Sequence, residues 1–126
     1  MINLLKVVRS FRFAGAGILA LFRYENNARV HLLAASGVVA VSFWLQLNRI
    51  EWAIILTQIG LVWAAEGVNT AIEKLCDLVS PGYHPQVKAI KDLSAGAVLL
   101  VVLVAVVVGS LLIGMKLYTR FQLFFS

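Results

Sequence analysis

Four polar side chains interrupt an otherwise apolar stretch at regular intervals: Glu66, Asn69, Glu73 and Asp77. Their positions, i, i+3, i+7 and i+11, bring them within about 80° of one another on a helix, as a single stripe. Three of the chain's six acidic residues lie on it. An acidic side chain at the centre of a membrane span costs about 2.5–3.5 kcal/mol on insertion scales, and such residues usually line an interior or a cavity. Carboxylates at graded depth, with an amide between them, suit metal and phosphate chemistry. The competing reading is an ion-paired helix contact, with Lys74 or Lys91 neutralising the stripe. Seven residues separate Glu66 from Glu73, about 10 Å along a helix axis, so Glu66 is expected deep and Glu73 near the cytoplasmic interface.

Two further groups belong to that interface. Glu25 and Asn26 mark the end of the first helical segment, where Glu25 is either an interfacial cap or a second carboxylate able to share a cation with Glu73. Magnesium typically takes one or two protein carboxylates and completes its shell with substrate phosphates and water. The run Ser80-Pro81-Gly82-Tyr83-His84-Pro85, followed by Lys88, Lys91 and Asp92, offers ring surface and hydrogen-bonding groups for a base or ribose, and a lysine for phosphate. Its plainer reading is a solvated basic loop anchored by tyrosine at the interface.

The elements that must position these groups follow from composition. The chain has 126 residues, of which 61% are hydrophobic and 13% charged, and its mean hydropathy is +0.91. A soluble domain carries about 25% charged residues. A chain this short has too much surface for its volume to hide so much apolar area internally. Soluble globule, coiled coil, disordered tail and disulfide scaffold are excluded, and the chain is expected in a bilayer. Eleven Lys and Arg against six Asp and Glu give a net charge of +5. In such a chain this excess points to anionic headgroups and cytoplasmic retention, not to nucleic acid. A single cysteine, Cys76, rules out an intrachain disulfide, and with only His31 and His84 beside it a structural zinc site is not expected.

The segment from about residue 3 to 24 reads as an amphipathic helix lying in the headgroup plane. Lys6, Arg9, Arg12 and Arg23 share one arc, and Leu4, Val7, Phe11, Ala14, Ile18 and Phe22 lie opposite. It lacks a convincing cleavage site before the next hydrophobic run, so it is read as mature protein and not a signal peptide. Three spans are expected, at about 30–48, 52–72 and 93–115. The last, Leu93 to Met115, would make roughly 35 Å of helix, enough for a hydrocarbon layer of roughly 30 Å. Leu47 to Glu51 is expected as a tight turn, and Val79 to Asp92, which holds both prolines, as a polar loop. Lys6, Arg9, Arg12, Arg23, Arg29, Lys74, Lys88 and Lys91 fall on one side, and Arg49, Lys116 and Arg120 on the other. The positive-inside rule then sets the amino terminus inside and the carboxyl terminus outside.

Two apparent nucleotide motifs are chance matches. Gly15-Ala16-Gly17-Ile18-Leu19-Ala20 fits the dinucleotide fingerprint, but a cationic helix precedes it and no acid follows at the required distance. Gly109 and Gly114 with Lys116 lack the lysine directly after the second glycine that a phosphate loop needs.

At the chemical residues the chain resembles a known family. Glu66-Gly67-Val68-Asn69-Thr70-Ala71-Ile72-Glu73 resembles the E-x-x-N-[ST]-A-I-E pattern of the prokaryotic diacylglycerol kinases. Glu25-Asn26-Asn27-Ala28-Arg29 resembles their E-x-x-x-R segment. Asp77 to Pro85, with Lys91-Asp92-Leu93-Ser94-Ala95-Gly96-Ala97-Val98, resembles their D-x-[IV]-S-x-x-Y-H…A-K-D block. The resemblance extends over roughly residues 6 to 115, and the Ile50-Glu51-Trp52 turn and the Ser-Pro-x-Tyr-His-Pro loop lean towards the undecaprenol kinase branch. It implies an all-α integral-membrane lipid kinase that uses ATP and magnesium, a homotrimer of three-span subunits each carrying a surface helix. By matching position, Glu66 would be the catalytic base, and Glu25 and Glu73 magnesium ligands. Asn69, Asp77, Tyr83, His84, Lys91 and Asp92 would be polar site residues, the last four around the nucleotide. Lys6 and Arg9 match basic positions near phosphate or lipid. Phe13 and Gly82 fall at nucleotide-side positions where tyrosine and an acidic residue are frequent, and Ala16 replaces a frequently acidic residue of the undecaprenol branch.

The expected activity is transfer of phosphate from ATP·Mg to a lipid hydroxyl at the cytoplasmic face of a bacterial inner membrane. Undecaprenol is the first-choice acceptor and diacylglycerol the alternative. A small proton-coupled transporter or channel subunit with Glu66 as relay is the rival from another class. It accounts for one buried acid, but not for Glu25, Glu73 and the loop lysine at the interface.

Overall fold

The computed structural model describes residues 1–126 as four helices joined by short turns. These are α1 (Leu4–Tyr24), α2 (Asn26–Trp44), α3 (Arg49–Val79) and α4 (Pro85–Phe125). Only 12 of the 126 residues are buried, and large apolar side chains cover the exterior from Leu4 to Phe125. An exterior of that kind has to be covered by a bilayer or by further protein. By length and apolar composition alone, α4 meets the requirement for a membrane-crossing helix. The first two turns of α2 carry Asn26, Asn27, Arg29 and His31, and α3 carries the acidic stripe.

The first helix forms where its periodicity places it. Asn3 starts α1, its side chain accepting from the Lys6 backbone N–H. No residue of α1 is buried, and its apolar side rests on α3 through an edge-to-face contact of Phe22 with Trp63, ring centroids 5.1 Å apart. One extended residue, Glu25, separates α1 from α2 and terminates both. Arg29 clamps this corner. Its Nε donates to the Phe22 carbonyl at 3.2 Å and its guanidinium also donates to the Arg23 carbonyl. Those carbonyls have no partner within α1, and the cation suits the negative end of the helix dipole.

Two connections differ from the sequence expectation. The α2–α3 turn begins earlier than Leu47, because α2 already ends at Trp44. Gln46 takes a left-handed conformation (φ 55°), the Gln46 N–H donates to the Phe43 carbonyl and the Leu47 N–H to the Ser42 carbonyl. That is the Schellman pattern, which closes a helix in two residues. Asn48 and Glu51 then cap α3 reciprocally, each side chain accepting from the other's backbone N–H. The second connection is shorter than Val79 to Asp92, with only residues 80–84 non-helical. Pro85 occupies the first turn of α4, where a missing N–H costs nothing, and His84 Nδ1 accepts from the Gln86 N–H at 3.2 Å. Lys88, Lys91 and Asp92 therefore stand on a helix, not in a loop.

α4 also continues ten residues past the expected end at Met115. Near its end Lys116 pairs with Glu51 at 3.0 Å, and Arg120 donates to the Trp44 carbonyl at 2.5 Å while its guanidinium lies 4.7 Å from the Trp44 ring centre. Between them Leu45, Leu47 and Ile55 form a small apolar core with Leu112, Ile113 and Leu117 of α4. Lys116 and Arg120 thus lie at one end of the bundle, and Lys74 with Glu25 and Lys91 with Asp77 at the other.

Candidate active site

The stripe on α3 is graded in exposure. Glu66 and Asn69 are buried, at 3% and 5% exposed, Glu73 is half-buried and Asp77 is exposed. The helical register keeps all four on one face, and the neighbours of each differ. Glu66 meets α2, its Oε2 lying 3.8 Å from His31 Nε2. The Asn69 amide nitrogen donates to Glu73 Oε1 at 3.3 Å, which leaves Asn69 Oδ1 buried without a hydrogen-bond partner. Buried acceptors are rarely left so, and an orphan of this kind marks a place for a donor or cation.

Glu25 sits at the corner between α1 and α2, half-buried, with Lys74 Nζ 3.4 Å from its Oε1. Glu25 and Lys74 close one end of a cavity of about 820 Å³ between α1 and α3, whose walls are otherwise mainly small and apolar residues such as Ala14, Gly17, Ala64 and Gly67. An elongated apolar molecule with a polar head fits such a groove. A second cavity, about 360 Å³, lies across α3 between α2, α3 and α4 and is lined in part by His31 and Gln58. Trp63 lines both, so Glu66 stands on the helix that divides them.

The outermost acid of the stripe is held across helices. Lys91 Nζ donates to Asp77 Oδ1 at 2.5 Å, and the Asp77 carboxylate holds the Lys91 ammonium above the ordinary lysine range. For these two residues the ion-paired helix contact is what the fold realises. Lys88 pairs with Asp92 one turn apart on α4 at 2.5 Å. His84 is occupied as the cap of α4, and Tyr83 is 81% exposed beside it. Gly82 lies in the same turn, its carbonyl accepting from Ser80 Oγ at 3.2 Å. Lys6, Arg9 and Phe13 are exposed on α1.

The fold therefore gathers Glu25, Glu66, Asn69 and Glu73 around the α1–α2 corner and α3, and Asp77 with Lys91 beyond them. It leaves Lys6, Arg9, Phe13, Gly82 and Tyr83 at the surface. No cluster of three or more His, Cys, Asp or Glu side chains is arranged to hold a metal by itself. Three contacts escaped the sequence reading: His31 on Glu66, Lys74 on Glu25, and Arg29 on the end of α1. Only Arg29 had a signal, as the last residue of the E-x-x-x-R segment.

Comparison with known proteins identifies the family. The sequence profile of the prokaryotic diacylglycerol kinases fits residues 12–113. An undecaprenol kinase of Bacillus subtilis is 40% identical over 109 residues, covering 86% of this chain and 89% of its own. A diacylglycerol kinase of a Synechocystis species is 39% identical over 105 residues, 82% of this chain and 60% of its own, and one of Escherichia coli is 26% identical over 108 residues, 86% and 88%. With the matched stretch running from the surface helix through the stripe and into α4, the chain belongs to the prokaryotic diacylglycerol kinase family and is a lipid kinase.

Proposed function

We propose that this kinase transfers the γ-phosphate of ATP to the hydroxyl of undecaprenol, at the cytoplasmic face of a bacterial inner membrane. The observation that carries the site reading is the orphaned Asn69 Oδ1, buried on α3 between Glu66 and Glu73. Phosphoryl transfer needs little covalent help from a protein beyond positioning, charge neutralisation and a proton acceptor. Glu66 is the acceptor: it is buried, it lies deepest on the stripe, and it takes the proton of the lipid hydroxyl as that oxygen joins the γ-phosphorus. Glu25 and Glu73 would hold magnesium, with hard oxygen donors suited to that ion. The unpartnered Asn69 oxygen fits such a site, since magnesium completes its shell with further oxygen donors, phosphate and water. When bound, the ion offsets charge on the transferring phosphate.

Tyr83, His84, Lys91 and Asp92 flank the nucleotide side, Gly82 and Phe13 lie at its edges, and Lys6 and Arg9 bring positive charge towards phosphate or lipid. Asp77 keeps Lys91 in place through their ion pair. The groove between α1 and α3 accepts the lipid tail along its apolar walls. α2, α3 and α4 are the three spans, covering about 30–48, 52–72 and 93–115, with the amino terminus cytoplasmic and the carboxyl terminus outside. Three copies assemble as a homotrimer, a reading supported by the family resemblance.

The 40% identity to a protein named undecaprenol kinase in Bacillus subtilis supports undecaprenol, over diacylglycerol, as the acceptor here. ATP-dependent phosphorylation of the two lipids, side by side in mixed micelles, tests the choice. Undecaprenol is expected to turn over faster. Diacylglycerol exceeding it by about tenfold, a discrimination that apolar contacts alone can supply, overturns the assignment.

A further inference from the structure

Glu66 poses a problem that the transfer step does not solve. Its side chain is 4% exposed, so a proton it has taken cannot leave directly to water. The base must nevertheless be emptied before each new turnover. Of the charged groups whose fields reach this carboxylate, Glu73 on the same helix and Glu25 at the α1–α2 corner are acids, and His31 is the one nitrogen base. Asn27 of α2 faces it as well, but an amide does not titrate. His31 Nε2 stands 3.8 Å from Glu66 Oε2, with 21% of the His31 side chain exposed. The same imidazole lines the 360 Å³ cavity on the far side of α3, where the contributions from α4, such as Val106 and Ser110, include no titratable group.

We propose that His31 is the exit for the proton that Glu66 takes from the lipid hydroxyl; this rests on Glu66 being the base. Imidazole suits the task because its two nitrogens are distinct and either can carry the proton. In the transfer, the lipid O–H bond breaks as the oxygen–γ-phosphorus bond forms, and ADP leaves with the electron pair of the broken phosphoanhydride bond. The proton rests on Glu66, passes from Oε2 to His31 Nε2, and the imidazolium then gives up its Nδ1 proton through the exposed part of its side chain. Closing 3.8 Å to hydrogen-bond length takes a movement of about 1 Å, and such contacts commonly tighten only when substrate is bound. His31 acts through Glu66 and touches no substrate, so it is a positioning and relay residue.

Chemical rescue separates a relay from a packing role. His31→Ala is expected to lower kcat at least about tenfold, as for loss of a proton-transfer group. Binding of a fluorescent ATP analogue with magnesium should stay unchanged, and added imidazole should restore part of the lost kcat through the vacated cavity. His31→Gln keeps most of the volume but cannot carry the proton, and is expected to lose as much kcat without responding to imidazole. Because the two residues act in one chain of transfer, His31→Gln combined with Glu66→Gln should be no slower than Glu66→Gln alone. A folded His31→Ala that imidazole does not rescue overturns the proposal. Where His31→Ala fails to fold, His31→Gln decides alone: more than half of the wild-type kcat, or a loss that multiplies with Glu66→Gln, overturns the relay. If Glu66→Gln itself keeps wild-type turnover, the assignment of the base has failed and the relay with it. A crippled Glu66→Gln beside a fully active His31→Gln removes the relay only.

Discussion

Replacing Glu66 in two ways separates charge from reach. Glu66→Gln keeps shape and hydrogen-bonding capacity but removes the proton acceptor, and kcat should fall by a factor on the order of 10²–10⁴. Glu66→Asp keeps the carboxylate and withdraws it by one carbon–carbon bond, about 1.5 Å. The contact with His31 Nε2, 3.8 Å in the native chain, then opens to roughly 5 Å, and the lipid hydroxyl is left at a similar remove. A misplacement of about 1 Å can cost about 10²-fold in rate, so the aspartate should lose about that much and fall between wild type and the glutamine variant. The glutamine substitution should not weaken the fold. A buried ionised carboxylate carries a desolvation penalty of several kcal/mol, and glutamine removes it. The assay is ADP release with undecaprenol in mixed micelles, accompanied by a melting curve and by equilibrium binding of ATP·Mg. The expected outcome is slow variants with native nucleotide binding, and native melting for the glutamine one. A Glu66→Gln enzyme keeping more than about a tenth of wild-type kcat refutes the base, and an aspartate variant slower than the glutamine one refutes the argument from charge.

Glu25→Gln and Glu73→Gln should each weaken apparent magnesium affinity and lower turnover severely, because a neutral amide is a poor ligand for a hard cation; the double variant should be little worse than either, and multiplying losses in magnesium titrations would show that the two do not share an ion. A reporter fused after Ser126 should read as external and one inserted near Pro81 as cytoplasmic, following the eight-to-three division of basic residues between the two ends; a cytoplasmic carboxyl terminus removes the three-span topology. Glu51 is held below the ordinary carboxylate range, first by the Asn48 N–H it accepts and then by Lys116, against some desolvation. A depressed carboxylate stabilises the folded chain above its unfolded value and loses that contribution as pH falls through the lower folded value. The melting temperature of Glu51→Gln should therefore lie below wild type near neutral pH and converge with it in acid, whereas a gap that stays constant with pH would place the effect elsewhere.

Local patterns in the sequence reached a good deal of this site, because they depend only on the geometry of one helix. The 3.6-residue period put Glu66, Asn69, Glu73 and Asp77 on a single face, and the structure keeps them there with exposure rising from Glu66 to Asp77. The arc of Lys6, Arg9, Arg12 and Arg23 defined the surface helix to within a residue of Leu4–Tyr24. The helix boundaries were written locally too. Asn48 with Glu51 is a capping box, which sets the first turn at Leu45–Asn48 instead of Leu47–Glu51, and Pro85 after His84 is a helix start, which leaves residues 80–84 as a shorter connection than Val79–Asp92.

Pairings between helices were not legible, because a period names the face of a helix and not what that face meets. His31 is a lone polar residue in an apolar run until the packing of α2 on α3 sets it 3.8 Å from Glu66. Lys74 is one more lysine of the basic set until the α1–α2 corner brings Glu25 to it, and that corner depends on Arg29 capturing the end of α1. Asp77 likewise meets its partner only in three dimensions, where Lys91 reaches it from α4 across fourteen positions of sequence. The segment after Lys116 carried no motif, yet Arg120 closes on Trp44 over 76 positions. Such contacts join charges and carbonyls that are remote along the chain, and only the packing of four helices sets their distance.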